Sequence, residues 1–236
     1  MKTIYHNADS RGHAEHGWLS ARHSFSFANY YDPERVHFGK LRVLNDDIVA
    51  PEQGFGTHPH NNMEIITIPL KGSLEHKDNM GNGSVITEGE VQVMSAGRGV
   101  MHSEFNPSEK DEVNLLQIWI FPETRDVEPR YDQRKFDPVS YEGALKTIVN
   151  NEEHDDSLFI HQKARLSLSK LSKGQSLDYS LQYPGHGVYI FMIEGKADIE
   201  DNQLYGRDAL GVWEADNFKI TSKDDSFILF LEVPMN

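Results

Sequence analysis

Apolar and polar side chains alternate along this chain in short runs, and long stretches of helical period are scarce. Alternation puts successive side chains on opposite faces of an extended strand. The pattern therefore predicts an all-β sandwich or barrel. Strands are predicted in the first half at residues 24–27, 41–44, 64–69, 73–77, 90–95 and 114–121. In one of them Val91, Val93 and Ser95 share a face while Gln92 and Met94 share the other, as a two-sided strand requires. The turns MGNGS (80–84) and AGRG (96–99) carry glycines, which tolerate positive φ.

A second β-rich block begins near Phe159, with strands predicted at 164–170, 188–194, 196–200 and 227–233. Between the blocks, residues 124–156 are polar and charged, hold two prolines and include the acidic run VNNEEHDDS. This stretch is the expected linker, which divides the chain into residues 1–135 and 136–236. The blocks read as a degenerate repeat. NMEIITIPLKGSLEH in the first resembles GVYIFMIEGKADIED in the second, each being strand, glycine turn, strand. EGEVQVMSAG corresponds more loosely to LGVWEADNF.

Composition narrows the function classes. The 236 residues suffice for a sizeable core. A net charge of -14 disfavours phosphate backbones and anionic membranes, so neither nucleic acid nor membrane is expected as a partner. With no cysteine, any metal must be held by nitrogen and oxygen. No run approaches 18 apolar residues, and the opening MKTIYHNADSRGHAEHG lacks the apolar core of a secretory signal. A cytoplasmic protein is expected.

Two histidine motifs then dominate. His58-Pro59-His60 lies in GFGTHPHNNMEIITIPLKG, and His102-Ser103-Glu104 lies in GEVQVMSAGRGVMHSE. Each pair of metal-capable side chains is spaced i, i+2, on one face of a strand. Two such strands side by side would aim three imidazoles and a carboxylate at one point, a donor set for a divalent transition metal. Fe, Mn, Ni, Co, Cu and Zn all suit it, with iron placed first. An open coordination position would point to catalysis. Glu64 competes with Glu104 for the fourth place. Gln117, in the apolar run LLQIWIF, either faces the cavity or points outward. Phe25, Phe27 and Phe55 are candidate aromatic walls, while His76 and His37 rank below the four as ligands. The second half has neither motif.

The two histidine segments resemble the two cupin motifs, and their wording is closest to the pirin family: HPH followed by ME, LEHKDNMG, and MSAGRGVMHSEFNPS. The opening GHAEHGWLSARHSFSFANYYDP is similar to bacterial pirins, and the resemblance is dense through QIWIFPETRDVEPRYDQRKFD. It implies a bicupin of two double-stranded β-helices with metal in the N-terminal one, held by His58, His60, His102 and Glu104. The family places its carboxylate ligand in the second motif, which favours Glu104 over Glu64. Bacterial members resemble quercetin 2,3-dioxygenases, which open the flavonol heterocycle with O₂ and release CO. Glu104 is then the expected catalytic base, and Glu64, Gln117 and Phe55 are expected near the ligand. The eukaryotic branch implies a rival, a redox-sensing regulator acting through protein partners. A third reading is another metal-dependent reaction with quercetin as a surrogate.

Overall fold

The structure is a computed structural model that describes residues 1–152 and 156–236. Its first twelve strands are β1 (Lys2–His6), β2 (Gly12–Glu15), β3 (Leu19–His23), β4 (Leu41–Val49), β5 (Gly54–His60), β6 (Glu64–Lys71), β7 (Ser73–Asp78), β8 (Gly83–Thr87), β9 (Glu90–Ser95), β10 (Val100–Phe105), β11 (Val113–Ile120) and β12 (Arg130–Lys135). Ten more follow: β13 (Lys146–Asn150), β14 (Leu158–Phe159), β15 (Arg165–Leu171), β16 (Ser176–Ser180), β17 (His186–Glu194), β18 (Lys196–Ile199), β19 (Asn202–Tyr205), β20 (Ala209–Trp213), β21 (Asn217–Ser222) and β22 (Ser226–Pro234).

These strands form the expected pair of jelly-roll barrels. In the first, a seven-stranded sheet ordered β12-β9-β6-β11-β4-β3-β2 faces a four-stranded sheet ordered β5-β10-β7-β8. In the second, the orders are β1-β20-β17-β22-β15-β13-β14 and β16-β21-β18-β19. The two halves match position by position. Two strands depart from the sequence order: β14 follows β13 and lies parallel to it, where β2 precedes β3 and lies antiparallel, and β1 (residues 2–6) pairs with β20 at the edge of the second half's large sheet. The strand β1 is the larger departure. It fills there the slot that β12 fills in the first half.

The repeat read from the sequence corresponds to β6–β7 and β17–β18. Gly72 and Gly195 join these strands at φ 79° and 88°. A Cβ at either would also meet backbone, the carbonyl oxygens of Glu112 and Asp225 respectively. Both constraints require glycine.

Alternation along β6 explains how the halves join. Ile66 and Ile68 point outward into a core shared with Tyr189, Phe191, Leu229 and Leu231 of the second half. Ile65 and Thr67 point into the first barrel. The two large sheets thus pack face to face, and burial of their apolar sides is the main force holding the halves together.

Two sequence expectations need correction. Residues 24–27 are not a strand. The Ser26 hydroxyl donates to the Asp32 carbonyl and accepts from the Asp32 amide, so the segment closes on its own loop. Phe25 enters the core between the halves, while Phe27 turns the other way toward the first barrel. Residues 124–156 are not a free linker either. They supply β12 and β13, each paired within a large sheet. Their polarity reflects half-exposed strand positions, as at Arg130–Lys135. In the acidic run, Glu153, His154 and Asp155 lie outside the described residues.

Candidate metal centre and ligand cavity

The two histidine motifs become adjacent strands. β5 and β10 run antiparallel with His102 opposite His58 and Val100 opposite His60. Pro59 sits on the outward face of β5, an edge strand, where a missing N–H costs no ladder bond. The i, i+2 spacing therefore brings three imidazoles together. Ring centroids lie 4.8 Å apart for His58–His60, 4.4 Å for His58–His102 and 4.9 Å for His60–His102.

The partners of these rings leave lone pairs free. Nδ1 of His58 donates to the Gly56 carbonyl at 2.8 Å, which leaves Nε2 bare. His76 Nε2 lies 3.2 Å from the Asp78 carboxylate, which also accepts from Met80 and Asn82. Nε2–H of His76 thus donates to Asp78, and its Nδ1 accepts from Nδ1–H of His102 at 3.4 Å. Nε2 of His102 is left buried with no hydrogen-bond partner among the described residues. An orphaned imidazole nitrogen beside two others is what a metal would satisfy. Burial, then the His58 charge, pushes His60 down to about 4, and burial lowers His102 further. Neutral imidazole is the form that ligates.

Glu104 lies beside this cluster. Two groups of metal-capable atoms, each within 4.8 Å, share His102: one with His58 and His60, the other with His76 and Glu104. Gln117 Nε2 donates to Oε2 of Glu104 at 2.9 Å, and Thr67 Oγ1 lies 3.4 Å from its Oε1. Burial pushes this carboxyl up to about 7 against those two hydrogen bonds. A bound cation would pull it back toward the ionised form.

The cluster opens into a cavity of about 420 Å³. Its aromatic walls are Trp18, Phe27, Phe55 and Trp119. Trp18 meets Phe55 edge-on at 5.3 Å, and Trp119 meets Phe27 at 5.3 Å and His60 at 4.9 Å. Gln117 and Phe55, both expected here, do line it; Asn45 and Asp47 from β4 were not foreseen. Burial, with Asp46 and Glu104 adding, raises Asp47 to about 8. His37 is exposed on a loop, away from the cavity.

Glu64 is placed elsewhere. It precedes Ile65 on β6, and alternation turns it to the opposite face, between the halves. There it accepts from the Ser95 hydroxyl at 2.7 Å and from the His161 amide. Burial pushes it up to about 7. A carboxyl raised in the folded state binds more protons there than in the unfolded chain. Its contribution is therefore full below about pH 4.5 and is lost as pH rises to about 7. We expect Glu64→Gln to flatten stability over that window, with an upper bound on the order of 3 kcal/mol. Urea melts at pH 5 and pH 8 measure it; an unchanged difference between the two would refute the burial argument.

Register carries the same positions into the second barrel. Tyr179 is opposite Phe218 there, as His58 is opposite His102. Ile220 is opposite Ile199, as Glu104 is opposite His76. Phe230 is opposite Ile190, as Gln117 is opposite Thr67. Tyr179 stacks on Phe218 at 5.0 Å and on Phe230 at 5.1 Å, so an aromatic stack fills the space that is a cavity in the first barrel.

Comparison with known proteins agrees with this architecture. Residues 5–120 match the family model Pirin, and residues 147–233 match the model of the quercetinase C-terminal cupin domain. The chain is 42% identical over 227 residues to a quercetin 2,3-dioxygenase of Escherichia coli K12, covering 96% of each chain. A pirin-like protein of Caulobacter vibrioides is 37% identical, over 95% of this chain and 96% of that one. Among solved structures, the bacterial pirin YhhW of Escherichia coli in complex with nickel(II) superposes with a TM-score of 0.94 at 39% identity, covering 99% of both chains. Paired barrels, histidine strands and relatives agree that this chain belongs to the pirin family.

Proposed function

We propose that this chain is a metal-dependent dioxygenase that opens the heterocycle of flavonols such as quercetin. His58, His60, His102 and Glu104 would hold one divalent transition metal. The observation that carries the reading is the bare, buried Nε2 of His102 between two further imidazoles, at the floor of an aromatic cavity. The relative named quercetin 2,3-dioxygenase and the nickel(II) complex of YhhW support it. Nickel joins iron, manganese, cobalt, copper and zinc as candidates, since three nitrogens and a carboxylate suit them all. Residues 1–135 are read as the catalytic unit and residues 136–236 as its metal-free companion, with β1 crossing between them.

When bound, the metal supplies Lewis acidity and a centre at which O₂ can react. The chain supplies the rest. Glu104, oriented by Gln117 and Thr67, takes the proton of the flavonol 3-hydroxyl. Trp18, Phe27, Phe55 and Trp119 hold the flat rings and exclude water. O₂ then adds across C2 and C4. The C2–C3, C3–C4 and O–O bonds break, C3 leaves as CO, and the two oxygen atoms stay in the ester product, one on C2 as the ester carbonyl and one on C4 in the carboxylate.

Turnover with and without oxygen tests this. Protein supplied separately with Fe, Mn, Ni, Co and Cu is expected to bleach the flavonol absorbance only in O₂ and to release one CO per flavonol with at least one metal. No oxygen-dependent loss with any of the five would overturn it.

A further inference from the structure

Strand β4 carries three consecutive polar residues in an apolar run, Asn45, Asp46 and Asp47. Asp46 faces the second half and is fully paired. Arg11 reaches its Oδ2 and Arg207 its Oδ1, both at 3.3 Å. Asn45 and Asp47, at i and i+2, face the cavity instead. They are 3% and 4% exposed. Oδ1 of Asp47 has no hydrogen-bond partner, and no cation pairs with this carboxyl among the described residues. The Asn45 carbonyl oxygen accepts from Nδ1 of His23 at 2.9 Å. Its amide N–H₂ donates to nothing among the described residues. A buried acceptor without a protein partner, Oδ1 of Asp47, therefore stands beside an amide donor that opens to the cavity, and the acceptor is costly unless something else completes it.

We propose that Asn45 and Asp47 form a subsite for a phenolic hydroxyl carried by the ligand at a ring position other than the one presented to the metal centre. The Asn45 amide donates to the hydroxyl oxygen, and the hydroxyl hydrogen goes to Asp47. One hydroxyl meets both groups, and a ligand without it leaves Oδ1 of Asp47 unpaired. The subsite thus selects polyhydroxylated aromatics over bare ones of the same outline. It refines the substrate class of the dioxygenase reading and rests on it only for the choice of probes.

Ligand binding tests the proposal apart from turnover. Two of the three tryptophans, Trp18 and Trp119, line the cavity, so quenching of intrinsic fluorescence reports occupancy. The probes are quercetin and 3-hydroxyflavone, which share the 3-hydroxyl and 4-keto groups but differ in the hydroxyls of the outer rings. Titrations use the full chain with and without nickel(II). In Asp47→Ala and in Asn45→Ala, the ratio of the quercetin to the 3-hydroxyflavone dissociation constant is expected to rise about tenfold. Asp47→Asn keeps an acceptor oxygen and is expected to restore most of the preference. Thermal melts check folding. Asp47→Ala is expected to melt no lower than the parent, because it removes a buried carboxyl that has no partner. An unchanged ratio in Asp47→Ala would overturn the subsite. A lowered affinity for both probes alike would overturn it too, since that is what a structural role gives. If the ratio shifts but no metal supports turnover, the subsite stands and the dioxygenase reading falls.

Discussion

His102→Ala empties the metal centre and leaves the barrel folded: this is the largest functional effect expected of any single substitution here. His102 is the ring shared by both groups of metal-capable atoms, and its Nε2 is the one buried imidazole nitrogen in the centre without a partner. Without it, His58 and His60 remain on a half-exposed edge strand. Metal content is expected to fall from one ion per chain to less than about a tenth, and turnover by a factor of about 10³ or more. Stability is expected to fall by about 1–3 kcal/mol, because removal of one orphaned atom only partly offsets the cavity and the loss of the donor to buried Nδ1 of His76. Elemental analysis and a urea melt on the same preparation measure the two effects. Unchanged metal stoichiometry would refute the ligand assignment, and a collapsed melt would refute the separation of site from scaffold.

The largest expected effect on stability lies in the other half. Glu232 is fully buried and stands opposite Val188, as Trp119 stands opposite Ile65 in the first barrel. Its Oε1 accepts from the backbone amides of Gln182 and Tyr183 at 2.8 and 2.9 Å. Its Oε2 accepts from the Tyr179 hydroxyl at 2.9 Å and lies 3.4 Å from the Arg165 guanidinium. One carboxylate therefore ties the segment after β16 down over the aromatic stack. Glu232→Ala strands two amides and a hydroxyl together and takes the charge partner from the half-buried Arg165 guanidinium. A cost of about 3–5 kcal/mol is expected, as when one partner of a buried ion pair is removed. Metal content of the first barrel should not change. A loss below about 1 kcal/mol in a urea melt would show that water replaces the carboxylate freely.

Much of this molecule was legible in its sequence, for identifiable reasons. Short alternating or β-branched runs bounded by turn residues located β6, β7, β9 and β11; β7 alternates, while β6, β9 and β11 are buried on both faces. The i, i+2 histidines declared a common face, and β5 and β10 do lie side by side. Alternation fails as a guide on edge strands such as β12, which are half-exposed throughout, so a paired strand read as linker. It also cannot say which core a buried face enters. Glu64 looked like a cavity residue because it follows the histidines closely, yet it borders the joint between halves. Trp119 could have been placed from Gln117, two positions before it on the same strand. Asn45 and Asp47 announced themselves as polar residues in an apolar strand, but only the tertiary structure separates them from paired Asp46.

The position of β1 sets an order of events in folding. Residues 2–6 are synthesised long before their partners, 209–213. The first barrel can close around β2–β12 while β1 waits, its backbone groups served only by water. The second sheet gains this strand only after β20 has been made, a contact of very long sequence separation and correspondingly slow to form. Until then β20 presents an open edge, the feature through which incomplete chains pair with one another. Once docked, Tyr5 bonds Asp208 at 2.7 Å and Nδ1 of His6 lies 2.8 Å from the Tyr189 hydroxyl. Strand β1 thus acts as a latch on the edge of the second barrel.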